Sequence, residues 1–410
     1  MLKHIQPIPC NFLGDIFYVD WGDCLAPIKT ESVSTKGPRE VIRESPDEDP
    51  HFFVFVTDGC NLSCHYCFEG REGSFSSSIS QPQYSIEELV VFLRSLNRRR
   101  ISIWFFGGEP LLNKSWIQQC VERLNMEDFE MSWNITTNLV CLTREFADFS
   151  KKHDIRYTVN LNATWLEESG KKYQMLVMKN IKLLTSLGVN VMGMSVWSPK
   201  SPFSIQKLME DYSDCGMKYF ACNLAWGFFF SKEDLRTLKA ELEHFCRFYL
   251  ESILKHDSRF LWIQPFSKYI RTLVLGTPLN ATFCEAGKSL GAIALDGSIY
   301  PCQSLTSFKS LRCGSIQSKE WSRPFLGLDD SSIPRCSSCA LVHCCKARCL
   351  ANNMMSNGSV LNPNQTRCDA EEIIFSCSAF IVKELMEHPI EYRTIKKVFG
   401  IESGLPNVSH

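Results

Sequence analysis

The chain predicts an α/β protein: a partial (β/α)6 TIM-type barrel followed by a cysteine-rich, loop-rich domain. Three observations lead there. Between residues 51 and 228, short apolar runs alternate with amphipathic segments, about six times over roughly 175 residues, the pattern of a parallel sheet covered by helices. The first run, Phe52-Phe53-Val54-Phe55-Val56, is apolar at every position, as a strand buried on both faces requires. Cysteines crowd two places, the loop directly after that run and the stretch 281–376.

Taken in order, residues 1–50 read as an N-terminal extension, with a strand-like piece at Ile16-Phe17-Tyr18-Val19 and a polar stretch from Lys29 to Pro50. The barrel follows over 51–228. Ser85 is a good N-cap, and Glu88 completes a capping box for a helix to Asn97. Ile101–Phe106 is the next strand. Lys114–Asn125 is helical, Trp133–Thr136 extended, Thr143–Lys152 helical and Tyr157–Leu161 extended. Lys172–Leu187 is an amphipathic helix stopped by Gly188. Strands Val189–Val196 and Tyr219–Ala225 close the series. Residues 229–280 supply bridging helices, beginning with Ser231–His256. The cysteine-rich domain occupies 281–376 and carries glycine turns. A helix from Phe375 to Phe399 and a tail fill 377–410.

The composition excludes several function classes. A net charge of −1 over 410 residues gives no footprint for nucleic acid. Arg98-Arg99-Arg100 reads as a solvated helix end. No apolar window of about 18 residues suits a membrane span. The N-terminus lacks an apolar signal core. Twenty cysteines in such a chain point to thiolate ligands in a reducing compartment, hence to a cytoplasmic location.

Cys60, Cys64 and Cys67 form a C-x3-C-x2-C loop at the end of the first strand, the face where barrel folds keep their chemistry. Three thiolates on one loop can hold three irons of a [4Fe–4S] cube and leave the fourth iron open, whereas electron-transfer clusters use four cysteines. A zinc knuckle or three unrelated thiols are the alternatives, and zinc would want a fourth Cys or His. Asp58 and Glu69 flank the loop as turn groups or proton acceptors. Gly107-Gly108-Glu109-Pro110 ends the second strand, where a double glycine lets the backbone approach a ligand closely.

The loop, with Tyr66 before its third cysteine and Phe68-Glu69 after it, resembles the signature of the radical S-adenosylmethionine (radical SAM) enzymes. Gly107-Gly108-Glu109 resembles that family's Gly-Gly-Glu motif, and Thr136-Thr137-Asn138 its Thr-Thr-Asn stretch. Where the family often has Ser-Ile-Asp-Gly, this chain has Asn160-Leu161-Asn162-Ala163. The resemblance implies that Cys60, Cys64 and Cys67 bind the catalytic cluster. It places Tyr66, Gly107, Gly108, Glu109, Pro110, Asn138 and Asn160 around S-adenosylmethionine, with Glu109 and its turn accepting from the methionine ammonium.

The later cysteines resemble the seven-cysteine pattern of the SPASM domain. Cys284 is followed after twelve residues by Gly297-x4-Cys302, then by Cys336-x2-Cys339-x5-Cys345-x3-Cys349, and finally by Cys368. By position, Cys284, Cys302 and Cys349 would hold one auxiliary cluster and Cys336, Cys339, Cys345 and Cys368 a second. Cys313 is the candidate fourth ligand of the first, an open iron that binds substrate being the alternative. Cys344 is a spare ligand. Cysteines 10, 24, 120, 141, 215, 222, 246 and 377 read as packing residues, with Cys141 and Cys222 at strand ends worth watching as thiols.

The resemblance covers residues 51–376. It implies three [4Fe–4S] clusters and reductive cleavage of S-adenosylmethionine to a 5′-deoxyadenosyl radical that abstracts hydrogen from a substrate. SPASM-containing enzymes mostly modify peptides. The expected function is a peptide maturase forming an intramolecular carbon–carbon, ether or thioether crosslink in a ribosomally made precursor. A sulfatase-maturing, formylglycine-generating enzyme is the alternative, and a non-catalytic iron–sulfur or zinc scaffold is the reading from another class. Expected partners are the precursor peptide and a reductant such as flavodoxin or ferredoxin, with leader recognition left to the extension, an internal surface or a separate protein.

Overall fold

Each apolar run between residues 51 and 228 forms a strand, and all lie in one direction. A computed structural model describes residues 8–12, 15–19, 49–69, 80–166, 170–217, 219–255, 262–264, 266–275, 284–328, 332–337, 339–341, 345 and 348–393. An N-terminal hairpin pairs β1 (Ile8–Phe12) with β2 (Asp15–Val19) and packs on the C-terminal helix. The barrel strands are β3 (His51–Thr57), β4 (Arg100–Gly107), β5 (Glu130–Thr137), β6 (Ile155–Asn160), β7 (Val191–Trp197) and β8 (Tyr219–Leu224), each parallel to the next.

The local signals hold at residue level. Ser85 and Glu88 close both halves of their capping box before the helix Ile86–Ser95. Ser231 and Asp234 do the same before Lys232–Leu254. Thr143 caps Arg144–Lys152. Gly188, at φ +74°, follows the helix Gln174–Ser186, as a left-handed C-terminal glycine should.

The parallel sheet does not end at residue 228. β9 (Trp262–Gln264) adds beside β8, and β10 (Leu290–Ile293) adds parallel to β3 at the opposite edge. Beyond β10 the sheet turns antiparallel through β11 (Ser298–Tyr300), β12 (Gly314–Ser315) and β13 (Glu320–Trp321). The cysteine-rich region therefore extends the barrel sheet rather than hanging from it. That explains the all-apolar β3. Phe52, Val54 and Val56 pack into the large core under the helices, while Phe53 and Phe55 pack with Cys302, Leu305, Phe325 and Leu350 on the inner side.

The last helix runs Gln365–Met386, starting ten residues before the expected Phe375. Asn364 is its cap, accepting from the Thr366 N–H at 3.0 Å, so the helix carries Cys368 on its first turns. Arg367 ties this helix to the barrel: it pairs with Glu371 at 3.1 Å and donates to the Leu224 carbonyl at 3.3 Å. Residues 394–399 of the expected helix, and the side chains of Cys10, Cys24 and Cys344, lie outside the described residues. No described helix is long and apolar enough to cross a membrane.

Candidate active site

The cysteine loop and the glycine turn are clamped together by main chain. As β3 ends, the Gly59 N–H donates to the Thr57 hydroxyl at 3.1 Å. The Gly108 N–H donates to the Thr57 carbonyl at 3.0 Å, and the Glu109 N–H to the Gly59 carbonyl at 2.8 Å. A Cβ on Gly107, at φ +135°, would stand 2.1 Å from the Thr57 oxygen; one on Gly108 would stand 2.3 Å from the Gly59 oxygen. Close approach is indeed why glycine is there, but the group approached is the backbone of the cysteine loop. Within that loop the Cys67 N–H closes on the Cys64 carbonyl at 3.1 Å.

Glu109 turns the corner into the short 3-10 helix Pro110–Asn113. Pro110 needs no N–H partner there, so the first orphan donor is that of Leu111, and the Glu109 carboxylate accepts it at 3.0 Å. The same carboxylate accepts the Thr137 hydroxyl at 2.6 Å and the Asn138 N–H at 2.8 Å. Glu109 is only 1% exposed, and burial pushes its carboxyl up, against the pull of these donors and Lys114. Asn138 in turn donates to the Asn61 side chain at 2.8 Å, and Asn61 donates to the Cys141 sulfur at 3.6 Å. One polar network thus binds the ends of β4 and β5 to the residue next to Cys60.

A cavity opens inside the barrel. Cys60, Cys64, Cys67, Tyr66, Gly107, Gly108, Glu109, Asn138 and Asn160 all line it. The Tyr66 hydroxyl donates to the Asn160 side chain at 3.0 Å, which fixes the loop to the end of β6. Pro110 is buried just behind. Glu69 lines the cavity, and burial pushes its carboxyl up to about 7. Asp58 instead accepts the Ser80 N–H at 2.9 Å, tying the loop to a residue well beyond it in the chain. Cys141 touches the loop through Asn61. Cys222 is a buried core thiol pushed up to about 12 by burial.

The donor sets suit a polynuclear cationic group. Burial, Glu109 and Cys67 push the Cys60 thiol up to about 12, so the free loop resists ionisation until a cation joins it. Cys284, pushed up to about 12 by burial and Cys349, and Cys302, raised by burial, Cys284 and Cys349, form a second mutually repelling set. Cys336, pushed up to about 11 by burial, Cys368 and Cys339, and Cys368, raised by burial and Cys339, form a third. Cys345 shares the large core with Cys368. Among the described residues no three Cys, His, Asp or Glu converge on a single metal ion. Cys313 stands apart from Cys284, Cys302 and Cys349. Its thiol donates to the Ile299 carbonyl at 3.4 Å, and it packs in the large core, across the sheet from the inner cluster that holds Cys302.

Sequence reasoning missed Asn61, Gln303 and the inward wall of Trp104, Phe106, Met192, Met194, Asn223 and Trp226. Strand alternation could have found the wall, since Trp104 and Phe106, or Met192 and Met194, are two apart. Nothing in the sequence points Gln303 at the barrel.

Comparison with known proteins agrees with this geometry. Residues 54–211 match the family model of the radical SAM superfamily. An uncharacterized protein of Archaeoglobus fulgidus is 22% identical over 85% of this chain and 86% of its own length. The radical SAM cyclopropyl synthase TigE of Paramaledivibacter caminithermalis is 28% identical over 25% of each chain. Among solved structures, anSMEcpe with bound AdoMet and the Cp18Cys peptide superposes with a TM-score of 0.64 at 18% identity, covering 85% of this chain and all of that one. SuiB of Streptococcus suis bound to S-adenosylmethionine gives 0.52 at 15% identity, covering 78% and 75%. Residues 54–211 thus match the radical SAM superfamily, and the chain shares the fold of these solved structures over 78–85% of its length.

Proposed function

We propose that the protein is a radical SAM peptide maturase that forms an intramolecular crosslink in a ribosomally made precursor. The observation that carries this reading is one cavity shared by the three-cysteine loop, the glycine turn and a residue of the cysteine-rich region, Gln303, which follows Cys302. The bound cluster and S-adenosylmethionine supply a hydrogen-abstracting radical. The protein's own task is to hold, orient and keep water out. Cys60, Cys64 and Cys67 hold the catalytic cluster. Asn138 and Asn160 fix the loop from β5 and β6, and the Oε2 of Glu109 keeps capacity for one more donor beside the Asn138 N–H. The aromatic and methionine wall excludes water. Cys284, Cys302 and Cys349 would hold one auxiliary cluster, and Cys336, Cys339, Cys345 and Cys368 another. Auxiliary clusters held there would supply an electron acceptor, and a flavodoxin- or ferredoxin-type protein would supply the reducing electron.

The test is anaerobic incubation of reconstituted, reduced protein with S-adenosylmethionine and a candidate precursor, read by mass spectrometry. A peptide lighter by two hydrogens, with 5′-deoxyadenosine formed, is the expected result. Conversion of a Cys or Ser to formylglycine in a sulfatase peptide would move the protein to the alternative. No cleavage of S-adenosylmethionine, with zinc in place of iron, would leave only the scaffold reading.

A further inference from the structure

Resting on that reading, we infer that the cavity seats a tyrosine side chain of the peptide, its phenol held by the Thr136 and Thr158 hydroxyls and its Cβ raised to the level of the cofactor. Residues along β5 and β6 alternate between two faces. Ile135, Tyr157 and Val159 pack into the large core under the helices, so Thr136 and Thr158 point the other way, into the cavity they line. The two are register partners across the strands. Among the described residues neither hydroxyl meets a hydrogen-bond partner, and both stay open to the cavity. Asn160, which the resemblance places at the cofactor, follows Thr158 by two residues on the same face of β6. The threonine pair is therefore a floor one side-chain layer, about 6.6 Å of strand, below it. Apolar groups flank this floor. Met192 is registered with Thr158, and Met194 with Asn160. On the other flank Phe106 follows Phe105, the partner of Ile135, and so stands beside Thr136.

A phenol suits this slot from end to end. Its hydroxyl both donates and accepts, as the two threonine hydroxyls do. Its ring meets Phe106 on one side, where Phe68 stacks at 6.1 Å, and the methionines on the other. Both kinds of contact favour an aromatic ring. Its length from hydroxyl to Cβ is close to the rise of one layer, so a tip on the floor leaves Cβ level with Asn160. There one Cβ–H bond breaks, one C–H bond forms at the 5′-carbon of the radical, and the unpaired electron stays on Cβ. Phenylalanine would fill the slot, strip water from two hydroxyls and give no hydrogen bond in return. Lysine would set an ammonium, a donor of three bonds, against two neutral hydroxyls on a desolvated floor. Serine is too short to span the layer. Asn223, also in the wall, is registered with Val196, two residues past the Met194 that pairs with Asn160, and so lies toward the mouth.

The test uses reconstituted holoenzyme and four synthetic heptapeptides, each with a central residue X flanked on both sides by three glycines. X is tyrosine, phenylalanine, lysine or serine, each deuterated at Cβ. Binding is read first, by calorimetry with S-adenosylmethionine present and no reductant. The tyrosine peptide should bind about fivefold tighter than the phenylalanine peptide, the worth of one neutral hydrogen bond. With reductant added, deuterium should pass to 5′-deoxyadenosine from tyrosine about fivefold or more in excess of the other three. Thr136→Val combined with Thr158→Val keeps the branched shape and removes both hydroxyls. It should bring the tyrosine-to-phenylalanine ratio to near one while iron content stays at the wild-type level. Thr136→Ser combined with Thr158→Ser keeps the hydroxyls and should keep the ratio. Equal binding of tyrosine and phenylalanine, a ratio that survives the valines, or preferred transfer from lysine or serine overturns the inference. So does tyrosine that neither binds nor gives up deuterium. If 5′-deoxyadenosine still forms under any of these, the inference fails alone. If S-adenosylmethionine is never cleaved, the maturase reading fails with it.

Discussion

Replacing Gly108 by alanine tests whether the glycine turn acts by bracing the cysteine loop. The new Cβ would stand 2.3 Å from the Gly59 oxygen, 2.6 Å from its carbon and 2.7 Å from the Asp58 oxygen. Ordinary contact begins at 3.4 Å, so the deficit is about 1.1 Å. The obstructing atoms are all backbone, so no side chain can swing aside. Either the loop or the turn must move by that amount. The movement strains the two bonds that join them, Gly108 to Thr57 and Glu109 to Gly59, each worth about 1 kcal/mol. Overpacking adds about 1–3 kcal/mol. A shift of about 1 Å at the ligands also lowers rate by about a hundredfold where geometry governs the reaction. Reconstituted Gly108→Ala should therefore lose iron by about one cluster's share and form 5′-deoxyadenosine about a hundredfold more slowly. Gly327→Ala, where an added Cβ meets nothing within 4 Å, is the control and should match wild type. Full iron content and a normal rate in Gly108→Ala would refute the bracing argument.

Three further expectations follow from the same contacts. Glu109→Gln puts an NH2 group against one of three donors in a buried site, so unfolding measurements should show a loss of about 1–3 kcal/mol; an unchanged midpoint would mean that the network is not fully formed. Cys313→Ala should leave iron content and spectra unchanged and cost about 1 kcal/mol of packing, because its thiol faces the Ile299 carbonyl; lost iron would restore it as a ligand. The Glu241 carboxylate accepts the Ile205 N–H at 2.6 Å, and burial holds its carboxyl above the ordinary value. A carboxyl raised in the fold contributes stability that is present below its unfolded value and is lost as pH rises through the folded one. Glu241→Gln keeps an oxygen for Ile205, so it should be more stable than wild type at pH 8 and indistinguishable near pH 4; a constant difference across that range would contradict the assignment.

Local chemistry wrote most of the barrel into the sequence. Ser85, Thr143 and Ser231 cap helices that start where those residues say, because a cap acts within four residues of itself. β9 and β10 leave little trace, being three and four residues long. Their pairing depends on edges completed by residues far away in sequence. Asn364 carries a cap signal that the cysteine spacing around Cys368 obscures, so reading from the sequence starts the last helix too late. The site divides the same way. The resemblance to the seven-cysteine pattern, not spacing by itself, divides Cys284, Cys302 and Cys349 from Cys336, Cys339, Cys345 and Cys368. In the fold burial, Cys284 and Cys349 raise the Cys302 thiol, and burial, Cys368 and Cys339 raise that of Cys336. Cys313 is a candidate ligand only because three assigned cysteines leave a fourth iron undecided. The sequence cannot report which core a residue joins, and Cys313 packs in the large core while Cys302 packs in the inner one. Gln303 is invisible in the sequence for the complementary reason. Its place in the cavity comes from the packing of Phe53 and Phe55 against the cysteine-rich region, a contact across some 250 residues. The three-cysteine loop and the glycine turn are thus legible as local motifs, whereas the cavity wall they share with Gln303 forms only where two distant stretches of chain meet.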